Sequence, residues 1–323
     1  MSVTIAGTAT ALNRYVATFK PQINTSIRQK LVTEKMWSQR VADHTWVAPN
    51  VTSGNLIQAF QCDFTPNNTH TFDEERIPLQ RMKIDVQFTC DDLDQWFDTF
   101  MVNWDEFGTG KAPSEWEFPK WIYENEIMPK YEEELELLLA YKGVRVAPTT
   151  GTAGNTADAV DGMGKKIADA ITAGRIVPIA TGAFSSGTYI AKFDTFINGL
   201  PVKFRDGSGN IYVSPTHARA LAKEILDTYK TNPNIDPSDT MKILNFSLPF
   251  TNKRVVGLPS MEGRNRMLYS PRPDNLVVVR RRGEPMVPVI RWENFERTLK
   301  GFSEFHRGYG FEFGTETFVN DQA

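Results

Sequence analysis

The sequence predicts an α+β fold with a mixed or antiparallel sheet, on three observations. Helical and strand patterns alternate irregularly along the chain, without the strict β-α-β order of a doubly wound sheet. One segment carries an unbroken helical stripe: Leu93, Trp96, Phe97, Phe100, Met101 and Trp104 fall at i, i+3, i+4, i+7, i+8 and i+11. Others have a period of two, as where Ile84, Val86 and Phe88 alternate with Lys83, Asp85 and Gln87. The 323 residues correspond to about two domains by length. Apolar side chains make up 41% of the chain, enough to exclude wholesale disorder. No uninterrupted apolar run exceeds about six residues, far short of the roughly 20 that a membrane-spanning helix needs. The first cation is Arg14, so no secretory signal is expected.

Taken in order, residues 1–50 are rich in Ser, Thr, Ala and Gln and show no sustained period. They read as an extended arm with a short helix around Thr25 to Ser38, too poor in apolar surface to be stable alone and so expected to lie on another subunit, the alternative being a frayed terminus. Phe60, Cys62 and Phe64 alternate with Gln61 and Asp63, which predicts a strand that pairs with Ile84 to Phe88. Between them Pro66 to Arg81 is polar and charged, and such a long connection is expected to project as a loop. Asp91 and Asp92 supply an N-cap to the striped helix. A second, longer helix is expected over residues 119–142, with Gly143 at its end and a kink or a fresh start at Pro129.

The small-residue stretch Val146 to Asn155 is the best candidate boundary between domains. Beyond it the patterns predict a helix over Thr156 to Ala173, a β-like stretch from Ile176 to Val213, and a helix capped by Ser214 and opened by Pro215. Strands are then expected at Lys242 to Leu248, Arg254 to Leu258, Leu276 to Val279, Val287 to Trp292 and Tyr309 to Phe313.

Motifs for chemistry are missing where they would be needed. Gly162-Met-Gly-Lys-Lys resembles the end of a phosphate-binding loop, but Ala159 and Lys166 stand where Gly and Ser or Thr are required, and the segment falls inside the predicted helix. His44, His70, His217 and His306 are scattered, and Cys62 and Cys90 have no partner at zinc-ligand spacing. No catalytic, cofactor-binding or metal-ligating residue is therefore expected. The net charge of −3 makes no overall footprint for polyanions. Locally, residues 91–136 hold 14 acids and 3 bases, a net of −11, while 241–307 hold 13 bases and 6 acids, a net of +7. These blocks are either solvated faces or complementary surfaces that meet within or between subunits. Arg280, Arg281 and Arg282 form the densest cationic patch, read as a solvated turn, a subunit contact or a modest phosphate contact.

The order of these pieces resembles the major capsid proteins of tailed bacteriophages, the Hong Kong 97-type fold. The last third carries most of the likeness: Gly257-Leu-Pro, Asn265-Arg-Met-Leu-Tyr, Asp274-Asn-Leu-Val-Val-Val, Arg291-Trp-Glu-Asn-Phe-Glu, and the closing Arg307-Gly-Tyr-Gly-Phe-Glu-Phe-Gly-Thr-Glu-Thr-Phe-Val-Asn. The resemblance implies an N-terminal arm at 1–50, an extended β-hairpin loop at 51–90, a spine helix region of the peripheral domain at 91–150, an axial domain at about 151–281, and closing strands of the peripheral domain at 282–323.

It further implies a non-enzymatic shell subunit that associates with itself in pentamers and hexamers around double-stranded DNA, without sequence-specific binding and without a membrane. A separate scaffolding protein, or none, is implied because the arm starts almost at once; portal and decoration proteins are the other expected partners. The implied location is the virion capsid, assembled in the host bacterial cytoplasm. Candidate inter-subunit contacts are Asp73, Glu74, Glu75 and Arg76 in the loop and Arg280, Arg281 and Arg282 after the strand. An encapsulin-like nanocompartment shell and an α+β enzyme are the alternatives.

Overall fold

The computed structural model describes residues 28–66, 70–106, 117–230, 244–296 and 298–322. Residues 1–27 of the expected arm, residues 67–69 and 107–116, and residues 231–243, which include the start of the strand expected from Lys242, lie outside these residues.

Among the described residues the chain builds two sheets and a separate ribbon, and Tyr212, Val256, Leu268 and Val319 of the second sheet join the core under the first. The first sheet is organised by its longest strand, β11 (Thr298–Phe311). One edge of β11 pairs antiparallel with β4 (Gln80–Thr89). Its other edge pairs with β10 (Arg291–Phe295) and then with β9 (Leu276–Arg281), which in turn takes β1 (Ser38–Ala42) in parallel. Against this sheet lie the short helix α1 (Thr33–Met36), the striped helix α2 (Cys90–Glu106) and the spine, α3, over residues 117–139. The spine contributes Ile122, Tyr123, Ile127, Met128, Tyr131, Leu135 and Leu139 to one core with Phe88, Val278, Leu299, Phe305 and Tyr309.

The spine is not a uniform α-helix. It passes through π turns at Tyr123–Ile127 and Leu135–Leu139, with an α-helical segment restarting at Met128. The first π turn lies immediately before Pro129, where a regular helix would miss a donor and crowd the proline ring.

The second sheet has the order β12 (Phe318–Val319), β8 (Leu268–Tyr269), β5 (Gly209–Val213), β7 (Lys253–Gly257) and β6 (Asn245–Ser247). Helices α5 (Tyr189–Asn198) and α7 (Pro215–Tyr229) cover it through Phe193, Phe196, Leu221 and Ile225. Ser214 caps α7 by accepting from the Thr216 amide, as expected.

Several expectations fail: the strand expected at Val287 to Trp292 forms only from Arg291, and three others fail for plain physical reasons. Ile176 to Val213 is mostly not β: it holds α5 and the short α6 (Val202–Arg205), because Phe193, Phe196 and Ile197 form a helical stripe within an otherwise β-rich composition. The helix expected from Thr156 starts only at Met163, as α4 (Met163–Thr172). Gly162 is its extended N-cap, so the glycine motif opens the helix instead of lying inside it. The amides of Gly162, Met163 and Gly164 bond to the carbonyls of Gly143, Ala140 and Tyr141, so backbone already fills the place a phosphate would take. A Cβ on Gly162 would also sit inside van der Waals contact of the Leu139 and Tyr141 carbonyls, which is why glycine stands there.

The third failure concerns the hairpin. Its strands are β2 (Thr45–Ser53) and β3 (His70–Pro78), in register from Thr45 opposite Pro78 to Ser53 opposite His70. The expected strand at Phe60 to Phe64 is not formed, and Ile84 to Phe88 pairs with β11 instead. Alternation signals a strand only when one face is covered, and here both phenylalanines are exposed. Conversely, β3 was hidden in the stretch expected to be a loop, since only Glu75 and Ile77 of its side chains are buried.

Candidate assembly surface

The ribbon is anchored at its base and unsupported beyond it. At the base, Ile77 packs with Ala42, Val277 and Val279 in a small core of its own. Glu312, at the end of β11, accepts hydrogen bonds from Arg40 Nε at 2.7 Å and from Trp46 Nε1 at 3.1 Å, both to Oε1. Its backbone carbonyl accepts from Asn50 Nδ2 at 2.7 Å. Glu75 pairs with Arg175, beyond the end of α4. Burial pushes the Glu75 carboxyl above its ordinary range although Arg175 draws it down.

Beyond these clamps residues 54–66 have no regular secondary structure. Ile57 is 95% exposed, Phe60 and Phe64 are each 93% exposed, and Phe72 is 79% exposed. Single exposed apolar residues are ordinary, whereas several large ones within one short stretch make a candidate contact surface.

The seven residues singled out from the sequence fall into two places. Asp73, Glu74, Glu75 and Arg76 lie on β3: Asp73 Oδ1 accepts from the Glu74 amide at 2.8 Å, Arg76 pairs with Glu74, and among the described residues only the Glu75 side chain pairs outside the ribbon. Arg280 and Arg281 end β9 opposite Val41 and Ala42 of β1. Arg280 is half-buried, and burial and then Arg307 push its guanidinium below its ordinary range. Arg281 is exposed, and Arg282 lies 3.5 Å from Asp43. Among the described residues no hydrogen bond or ion pair joins the two sets.

The acidic block has a role that charge counting missed. Three spine carboxylates receive the described end of the arm. Arg28 Nη2 donates to Glu126 Oε2 at 2.8 Å, the Leu31 amide reaches Glu132, and the Val32 and Thr33 amides both donate to Glu136. Glu34 continues the attachment: Tyr309 Oη donates to its Oε1 at 2.5 Å, and Arg307 Nε lies 3.5 Å from the same oxygen. Arg307 is fully enclosed and also donates to Tyr131 Oη and the Met286 carbonyl. The only sequence signal for this lay in the position of Glu136, among Leu135, Leu138 and Leu139 of the apolar stripe.

Lys253 was missed for the same reason. It is fully buried in the second core, where Nζ donates to the carbonyls of Phe204 and Gly207 and to Tyr269 Oη at 2.7–2.9 Å.

Among the described residues no cluster of His, Cys, Asp and Glu could hold a metal ion. Ser53 Oγ touches His70 Nδ1 on the exposed ribbon, whereas His306 pairs with Glu284 and His217 with Asn265.

No protein-family model matches this chain, and no curated protein matches its sequence. Solved structures do match in fold. A chain of the satellite phage P4 procapsid including size determination (Sid) protein superposes with a TM-score of 0.52 at 12% identity, over 95% of each chain. A chain of Gordonia phage Cozz superposes with a TM-score of 0.50 at 9% identity, over 92% of this chain and 88% of that one. Over nearly its whole length, then, the chain shares the fold of chains from phage capsid structures, in keeping with the resemblance its sequence shows.

Proposed function

We propose that this chain is a major capsid protein, a non-enzymatic structural subunit that assembles with copies of itself into the icosahedral head shell of a tailed bacteriophage, around double-stranded DNA. The observation that carries this is the fold match to a chain of a phage procapsid over 95% of both chains. The exposed apolar residues of the ribbon support it, since among the described residues they have no partner surface and a neighbouring copy supplies one. On this reading the subunits form pentamers and hexamers, the virion capsid is the location, and assembly takes place in the host bacterial cytoplasm. Scaffolding, portal and decoration proteins are the expected further partners, and DNA is enclosed without base-specific contacts.

Sedimentation of the purified chain across a concentration series, with negative-stain microscopy of the heavy fraction, tests the reading. Rings and closed shells are expected. A monomer that stays monomeric at high concentration contradicts it.

A further inference from the structure

Glu136 is a fully enclosed carboxylate in the second π turn of the spine, and no cation touches it among the described residues. Its Oε2 accepts the amides of Val32 at 2.9 Å and Thr33 at 2.8 Å. Its Oε1 accepts Thr33 Oγ1 at 2.6 Å and the Ser260 amide at 3.2 Å. Thr33 Oγ1 lies 2.7 Å from Ser260 Oγ, and either hydroxyl can be the donor. One carboxyl group thus joins the arm, the spine and the turn between β7 and β8 of the second sheet.

The charged groups on the surrounding elements are turned to other partners. On the arm, Arg28 holds Glu126, Glu34 holds Tyr309 and Arg307, and Lys35 is exposed. On the spine, Glu132 takes the Leu31 amide and Glu133 and Glu134 face Lys130. Past the turn, Glu262 is bound by Ser214 and Thr216. An ionised carboxylate enclosed without a counter-charge is expensive even when it is hydrogen-bonded.

The geometry offers a cheaper state. With a proton on Oε1, the carboxyl donates to Thr33 Oγ1, and Thr33 turns its own hydrogen toward Ser260 Oγ. Oε2 keeps both amides, Oε1 keeps a lone pair for the Ser260 amide, and no heavy atom moves. We propose that Glu136 is a proton-linked latch: the arm segment 28–37 docks most tightly on the spine and on the 259–261 turn when Glu136 is protonated.

The sign follows from linkage. Burial raises the docked Glu136 carboxyl above its ordinary range, although Thr33, Val32 and Ser260 draw it down. A carboxyl raised on docking favours the docked form at low pH, and that advantage is lost as pH rises through the docked value. This is opposite to the usual acid loosening of a carboxylate contact. It concerns the single subunit and stands apart from whether the chain builds shells.

Hydrogen exchange of the full chain, read at the Val32 and Thr33 amides and corrected for intrinsic rates, tests it between about pH 4.5 and 8. In the wild type, protection is expected to fall as pH rises. Glu136→Gln retains a carbonyl for the two amides and an NH₂ for Thr33, so protection persists with no pH dependence. Thr33→Val removes a donor that draws the carboxyl down, so the fall in protection is expected to move to higher pH while the amide contacts remain. A thermal melt of each variant separates arm release from unfolding, and should Glu136→Gln not fold, Thr33→Val decides. Wild-type protection that is flat with pH or falls on acidification overturns the proposal, as does a Thr33→Val profile identical to the wild type.

Discussion

Replacing Ile57, Phe60 and Phe64 together by serine isolates what the ribbon contributes to assembly from what it contributes to folding. These side chains are 95%, 93% and 93% exposed, so the isolated subunit loses almost no buried surface. Its stability is expected to change by no more than about 0.5 kcal/mol, or roughly 1–2 °C in melting temperature. At a subunit contact the same three side chains would each contribute about 1.5–3 kcal/mol on full burial. Their loss therefore costs roughly 4.5–9 kcal/mol per contact, about three to six orders of magnitude in its equilibrium constant. Because a shell repeats the contact at every subunit, assembly should fail at concentrations where the wild type assembles fully. The assay is a thermal melt of the subunit beside sedimentation of both proteins at equal concentration. A drop of many degrees in the melt would show that these residues pack within their own chain. Wild-type shell yield would show that they pack nowhere. Exchanging Pro66 to Arg81 is a poorer experiment, because it removes the buried Ile77 and the Glu75–Arg175 clamp and so damages the subunit itself.

Lys253→Met leaves two carbonyls and a tyrosine hydroxyl without their buried donor, and chemical denaturation should show a loss of about 3 kcal/mol without loss of the first core. Gly162→Ala forces the start of α4 away from the spine carbonyls, which should cost about 1–3 kcal/mol in the same measurement. Changing the exposed Arg281 and Arg282 to Gln should flatten the dependence of assembly rate on NaCl, read by light scattering, with little effect on melting temperature. An unchanged salt slope would assign both residues to solvent.

Much of the fold was legible because its helices and core strands bury one face. The stripe of α2, the cap at Ser214 and the valines of β9 each announce a covered surface in the order of their residues. The ribbon was misread in both directions because it has no covered face beyond its base. The apolar alternation at Phe60 to Phe64 therefore marks no strand, and the charged residues of β3 conceal one. Glu136, Arg307 and Lys253 could not be separated from surface charges by composition, since each is enclosed by partners far away in sequence. The Glu136 contact, for example, spans 104 positions to Val32 and 124 to Ser260.

The most direct measurement is a cryo-electron microscopy reconstruction of particles formed by the full chain. The account predicts an icosahedral shell of pentamers and hexamers in which Ile57, Phe60 and Phe64 of each ribbon lie buried against a neighbouring subunit. Ribbons that remain in solvent within a closed shell would contradict the assembly surface, and the absence of any closed shell would contradict the function.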